Sequence, residues 1–256
     1  MSAALLPLPA IPDVKPGDDL PQLIGQGLEA AGLALRHGDV IAVAQKIVSK
    51  AEGRQVALDT ITPTAEAEAL AEETGKDPRL VTLILQESRA VVRKRAGQPG
   101  VLVVEHLRGW VHANAGIDQS NIDMGAGGDS ALLLPEDPDR SAAELRDALE
   151  AAHGVRLGVL INDSFGRAWR MGTCGIAIGA SGLLALQDLR GSEDRHGRRL
   201  EVSVVGLADE LAAAASVVMG QAAEGTPVVL LRGFPGVLGD GSAADLIRPA
   251  AEDLFR

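Results

Sequence analysis

Apolar positions recur with helical spacing from Asp19 to Leu33, and the turn His37-Gly38-Asp39 closes that stretch. Asp39–Gln45 (DVIAVAQ) then reads as a strand rich in β-branched residues. Thr62-Pro63 has the form of an N-cap followed by proline at the first helical position. Asp77-Pro78 repeats it and predicts a helix through Ser88. Val101–Glu105 and Trp110–His112 predict a short hairpin about Arg108-Gly109. Ser141-Ala142-Ala143-Glu144 fits a capping box, which places a helix over 142–153 with Gly154 at its end. Arg156–Asn162 reads as a buried strand and Arg199–Val205 as an alternating one. Leu207–Met219 is an alanine-rich helix, and Pro227–Leu231 a last apolar strand. Helices and strands mix without a regular βαβ alternation, which predicts an α+β (mixed α/β) fold. No linker or repeat divides the chain, so one domain over 1–256 is expected.

Charge and aromatic content narrow the function classes. The 256 residues carry 24 Lys+Arg against 35 Asp+Glu, a net charge of −11, with two Trp, three Phe and no Tyr. A general nucleic-acid binder needs a basic footprint and stacking rings, and this chain has neither. The single cysteine, Cys174, excludes an intrachain disulfide and a multi-cysteine metal site. The longest apolar run, Cys174–Leu186, is shorter than the roughly 18–20 residues that span a bilayer and is broken by Gly and Ser. The N-terminus lacks the basic start and apolar core of a signal peptide, so a cytoplasmic protein is expected.

Familiar catalytic signatures are missing. There is no G-x-x-x-x-G-K-[ST] and no H-E-x-x-H. Gly125-Ala126-Gly127-Gly128-Asp129-Ser130 lacks the third glycine of a dinucleotide loop, and Gly179-Ala180-Ser181-Gly182 is followed by Leu183 rather than the last glycine of a nucleophile elbow.

Three polar stretches remain, each expected as a loop at a strand end. Gln45–Arg54 offers Lys46, Ser49, Lys50 and Arg54, which suit a phosphate, or else form a solvated turn. Asn114–Asn121 brackets small residues with Asn114, Asp118 and Asn121, which suit a hard cation and a nucleotide edge, or else an Asx-turn. Ile161–Arg170 delivers Asp163 and Ser164, then Arg167 and Arg170. That suits a divalent cation beside an anion, or else Asp163 capping a turn with Arg167 paired to it. Together they have the inventory of a Mg²⁺ or Mn²⁺ nucleotide site, in which carboxylates hold the metal and the metal neutralises phosphate.

On QKIVSKAEGR, NAGIDQSN and the DSFGR that follows VLIN, the chain resembles the GTP-dependent glutamate ligases of coenzyme F-420 biosynthesis. The segments LPAIPDVKPGDDL, GIAIGASG, HGRRLEVSV, LADELAAAA and VVMGQAAEGTPVVLLRG extend the resemblance over about residues 5–248, in the single-module form. The resemblance implies a family-specific fold of intertwined subdomains with mixed sheets, and a homodimer. It implies GTP as co-substrate, Mg²⁺ or Mn²⁺ at two sites, often K⁺, and L-glutamate joined to the deazaflavin precursor F-420-0 and then extended by a γ-linkage. The matching metal positions are Asp118, Asp163, Ser164 and Gln221. The matching GTP positions are Pro9, Ala10, Ile11 and Pro12, then Gln45, Lys46 and Lys50, then Asn121, then the Val217–Glu224 segment with Met219, Gly220, Ala222 and Glu224. Arg167 is our assignment for an anionic substrate, alongside Asp118 and Asp163 as catalytic groups. Two alternatives stand beside this expectation: a non-catalytic nucleotide- or deazaflavin-binding module, and a glutamate ligase for another pterin- or folate-like acceptor.

Overall fold

A computed structural model describes residues 2–98, 100–122 and 129–254. The glycine-rich stretch Gly125–Gly128 lies outside the described residues. In chain order the elements are β1 (Ala4–Pro7), α1 (Leu20–Ala30), β2 (Val40–Ala44), α2 (Gln45–Ala51), β3 (Gln55–Ala57), α3 (Ala65–Thr74), α4 (Pro78–Gln86), β4 (Ser88–Arg95), β5 (Val101–His106), β6 (Val111–Ala113), β7 (Ser130–Leu132), α5 (Pro138–His153), β8 (Gly158–Arg167), β9 (Arg170–Ser181), β10 (Gln187–Asp188), β11 (Val204–Val205), α6 (Leu207–Met219) and β12 (Val228–Arg232). The fold is α+β, with open mixed sheets.

The principal sheet has the order β1-β12-β2-β8-β9. Its β2–β8 pair is parallel, and its other pairs are antiparallel. Both faces are covered, which is why β2 is apolar at every position and β12 at all but its last, Arg232, rather than at alternate ones. Ile41, Val43, Val159 and Ile161 pack against Ile24 and Leu28 of α1 and Leu145 and Leu149 of α5. Val40, Ala42, Leu160 and Leu231 pack against Ala208, Leu211, Ala212 and Ala215 of α6. Small residues bring α6 close: a Cβ on Gly175 of β9 would collide with the Ala212 carbonyl oxygen. A second core joins the β3–β7 pair and the β4-β5-β6 sheet to α3 and α4 through Val56, Ala131, Leu102, Val104, Ala67, Ala71, Val81 and Ile84.

The helices at 20–30 and 207–219, the β5–β6 hairpin and the last strand lie where the pattern placed them. Other boundaries differ for physical reasons. The cap of α3 is Thr64 rather than Thr62, and its side chain accepts from Ala67 N. α4 stops at Gln86, because Ser88 already begins β4. The supposed capping box at Ser141 lies inside α5, which starts at Pro138 with Asp137 as its cap. Ser141 Oγ instead donates to Glu52 and to the Asp137 carbonyl. The predicted strand 199–205 shrinks to Val204–Val205. Two of the three expected loops are regular structure: Gln45–Ala51 is helix α2, and Asp163–Arg167 continue β8 into a hairpin with β9. The apolar run from Cys174 supplies most of β9. Among the described residues no helix is long and apolar enough to cross a membrane.

Candidate functional site

β8 outruns its parallel neighbour. The β2–β8 ladder ends at Ala44 opposite Asn162, and β2 turns there directly into α2. From Asp163 onward that edge of β8 pairs with no strand among the described residues. Successive residues point to opposite faces, so Asp163 and Ser164 present donors on either side of that edge. A cleft of about 580 Å³ opens at this point, lined by the start of α2, by Asp118 and Ser120, by β8 from Asn162 to Ser164, and by the segments Ile11–Val14 and Met219–Pro227. It lies beyond the carboxyl end of β2, where open α/β sheets commonly place ligands.

Asp118 sits on the segment after β6, held by two backbone hydrogen bonds with Leu132. Gln45, buried at the start of α2, donates from Nε2 to Asp118 Oδ2 at 2.9 Å. Lys46 Nζ lies 3.4 Å from the same oxygen and donates to Ser120 Oγ at 2.9 Å. Loss of solvent raises the Asp118 carboxyl above its ordinary range, and Lys46 and Gln45 work against that rise. Asp163 is pushed up to about 7, first by loss of solvent and then by the facing charge of Asp118. On the other side of β8, Ser164 Oγ donates to Gln221 Oε1 at 2.8 Å, and Gln221 Nε2 donates to Ser216 Oγ at 3.0 Å.

These groups fit a hard divalent cation. Two carboxylates, a hydroxyl and an amide oxygen are the donor chemistry of Mg²⁺ or Mn²⁺. The upward push of Asp118 on Asp163 is the kind of like-charge conflict that a cation removes. Among the described residues no three His, Cys, Asp or Glu side chains cluster, so any such ion would depend on Ser164 and Gln221 as well as the two aspartates.

The remaining candidates divide. Ile11, Pro12, Gln45, Lys46, Lys50, Asn121, Met219, Gly220, Ala222 and Glu224 all line the cleft. Asn121 Nδ2 bonds the Ala222 carbonyl at 3.1 Å, and Glu224 accepts from Ala222 N at 2.7 Å. Pro9 and Ala10 lie outside the lining, on the exposed approach to it. Arg167 and Arg170 also lie outside it, exposed on the β8–β9 ribbon beyond Ser164. Arg167 Nη2 donates to the Met171 carbonyl at 3.4 Å. Polar lining residues that were not singled out include Asp13, which pairs with Lys50 at 2.6 Å, Ser120, Asn162 and Thr226. Asn162 and Ser120 stood inside quoted motifs, but nothing in their spacing marked them.

Fold and cleft together define an α+β protein with paired aspartates at the lysine-flanked end of a parallel strand pair. The family model for F420-0:gamma-glutamyl ligase matches residues 10–233, and the chain belongs to that family. The coenzyme F420:L-glutamate ligase of Methanopyrus kandleri is 47% identical over 254 residues, 98% of this chain and 96% of that protein. The protein of the same name from Methanothermobacter thermautotrophicus is 46% identical over the full length of both, and that from Archaeoglobus fulgidus is 40% identical over 100% of this chain and 97% of its own.

Proposed function

We propose that this chain is a GTP- and divalent-metal-dependent ligase that joins L-glutamate to F420-0 and adds a further glutamate through a γ-linkage. One observation carries the reading: Asp118 and Asp163 meet at the lysine-flanked end of the cleft in a chain that matches the family over 10–233.

A carboxylate does not react with an amine until it is activated. In the proposed first step an acceptor carboxylate oxygen attacks the γ-phosphorus of GTP, the bond to the β–γ bridging oxygen breaks, and GDP leaves. The glutamate amine then attacks the carbonyl carbon of the acyl phosphate. Phosphate leaves with the C–O electron pair and takes up the proton that the amine gives off. Phosphoryl transfer asks chiefly for positioning and charge neutralisation. Asp118, Asp163, Ser164 and Gln221 would hold Mg²⁺ or Mn²⁺ in two positions, with K⁺ as the monovalent ion, and bound divalent ions neutralise phosphate oxygens. Lys46 and Lys50 bind β- and γ-phosphate oxygens, Lys50 by exchanging Asp13 for phosphate. Gln45 keeps Asp118 turned to the cleft. Arg167 and Arg170 receive the anionic acceptor or the incoming glutamate along the ribbon. We assign the reaction to the cytoplasm. We assign the active form as a homodimer, a reading supported by the exposed apolar side chains of Trp169, Met171 and Val202.

The test is incubation with GTP, Mn²⁺, L-glutamate and F420-0, followed by mass spectrometry for GDP and the glutamylated product. GDP without that product would point to another pterin- or folate-like acceptor. No nucleotide turnover would point to a binding module.

A further inference from the structure

The turn that carries Asp118 into the cleft is conformationally unfavourable. Asn114, Ala115 and Gly116 adopt φ of 54°, 54° and 69°, the left-handed region that L-residues avoid and seldom occupy in succession. Ala115 is buried and has no polar side chain to offset this. Such a turn persists only when its surroundings hold it. From the chain itself it has the Ile117 N to Asn114 carbonyl bond, and then the two bonds between Asp118 and Leu132.

Side chains support it as well. Around the place where a Cβ on Gly116 would stand, Leu134 comes to 2.7 Å and Cε1 of His112, the middle residue of β6, to 2.6 Å, so the turn curls against Leu134 and the imidazole edge together. The face of the same ring stacks on Phe165, with centroids 4.0 Å apart and planes 13° from parallel. Phe165 is two residues beyond Asp163 on β8, with no register shift between them, and so shares its face. Both rings are buried. Residues on either side of the cleft are thereby joined through one stacked pair.

We propose that His112 is a positioning residue that clamps the Asp118 turn to the Asp163 strand and so sets the spacing of the two carboxylates. The clamp works by its flat face. Among the described residues His112 Nε2 has no hydrogen-bond partner. Burial, with His106 nearby, pushes the imidazole down to about 3, so it stacks as a neutral ring. The consequence for cation binding rests on the assignment of Asp118 and Asp163 as ligands; the consequence for geometry does not.

The experiment uses the full chain with His112→Ala, His112→Phe and Phe165→Leu. Crystal structures read the Asp118–Asp163 spacing, and calorimetry with Mn²⁺ reads affinity well below each melting temperature. His112→Phe should keep the spacing and the affinity. His112→Ala should widen the spacing by about 1 Å and weaken Mn²⁺ roughly 10–100-fold, the range seen when a group that orients a ligand is lost. Phe165→Leu removes the stack from the other side and should reproduce that loss, which covers the case in which His112→Ala does not fold. Unchanged spacing in a folded His112→Ala or Phe165→Leu protein would overturn the clamp, as would a His112→Phe protein as impaired as His112→Ala. Failure of the wild type to bind Mn²⁺ would instead overturn the ligand assignment, and the spacing would still judge the clamp.

Discussion

Gln45 donates to Asp118 Oδ2 at 2.9 Å while its own Oε1 accepts from Ser49 Oγ at 3.0 Å, so a buried amide fixes one carboxylate of the site from the first turn of α2. The Asp118 carboxylate accepts only and so takes the Nε2 end of the amide, and the Ser49 hydroxyl donates to the oxygen left at the other end. The geometry of the cleft thus depends on a residue that contributes no charge.

Gln45→Ala should therefore weaken cation binding and turnover by about 10–100-fold, as loss of a ligand-orienting partner does. It should also cost about 1–3 kcal/mol of stability, because the Ser49 hydroxyl is left buried without its acceptor. Calorimetric titration with Mn²⁺ and a thermal melt check both numbers.

Asp163 provides a pH signature. Its carboxyl is pushed up to about 7 in the folded chain, against an ordinary value of 3.8. Between those values the folded state binds more protons than the unfolded state, so the stability of the cation-free chain falls as pH rises from about 4 to 7. Asn does not titrate. Asp163→Asn should melt above wild type at pH 8 without divalent cation and below it with Mn²⁺. Cation binding competes with the proton on Asp163, so wild-type affinity for Mn²⁺ should drop about tenfold for each pH unit below 7. Affinity that is equal at pH 6 and pH 8 would remove Asp163 from the site.

How far this was readable from the sequence depends on how local each signal is. Asp118, Asp163, Ser164 and Lys46 announced themselves as polar groups interrupting apolar stretches, and the cleft brings them together. α6 was legible to the residue because its alanines and leucines follow one helical period. Gln45–Ala51 was misjudged because a helix of 7 residues shows too little periodicity against two lysines and a serine. β4 went unrecognised because SRAVVRKR is an edge strand whose charges face solvent, which hides its alternation. The extension of β8 through Arg167 was hidden by Gly166. It carries Arg167 and Arg170 out onto a ribbon, a placement that only the hairpin with β9 determines. Stacking of His112 on Phe165 spans 53 positions and left no trace in either motif.

Lys50 is held by Asp13 at 2.6 Å in the structure. On the proposed role of Lys50 in phosphate binding, Lys50→Ala should raise KM for GTP by about 10–100-fold, the equivalent of about 1.5–3 kcal/mol, with a smaller effect on kcat. Asp13→Asn frees the ammonium and should leave KM at or below the wild-type value. Steady-state kinetics of Lys50→Ala and Asp13→Asn with varied GTP separates the two effects; normal GTP dependence in Lys50→Ala would make Lys50 a structural cation.

Away from the cleft, Arg232 at the end of β12 closes a bidentate pair on Asp39, with Nε to Oδ1 at 2.8 Å and Nη2 to Oδ2 at 2.6 Å. Asp39 is buried, so removing the arginine leaves a carboxylate without its counter-charge. Arg232→Met should cost about 3–5 kcal/mol in urea unfolding. Its effect on GTP dependence in the surviving folded fraction should be small, since Arg232 is outside the cleft lining.

The central claim is that GTP activates the acceptor carboxylate in this cleft. The direct measurement is a single-turnover reaction of the wild-type chain with F420-0 labelled with ¹⁸O in its terminal carboxylate, GTP, L-glutamate and Mn²⁺, with the released phosphate weighed by mass spectrometry. The account predicts one ¹⁸O in each phosphate for every amide formed. Amide formation with unlabelled phosphate would contradict it.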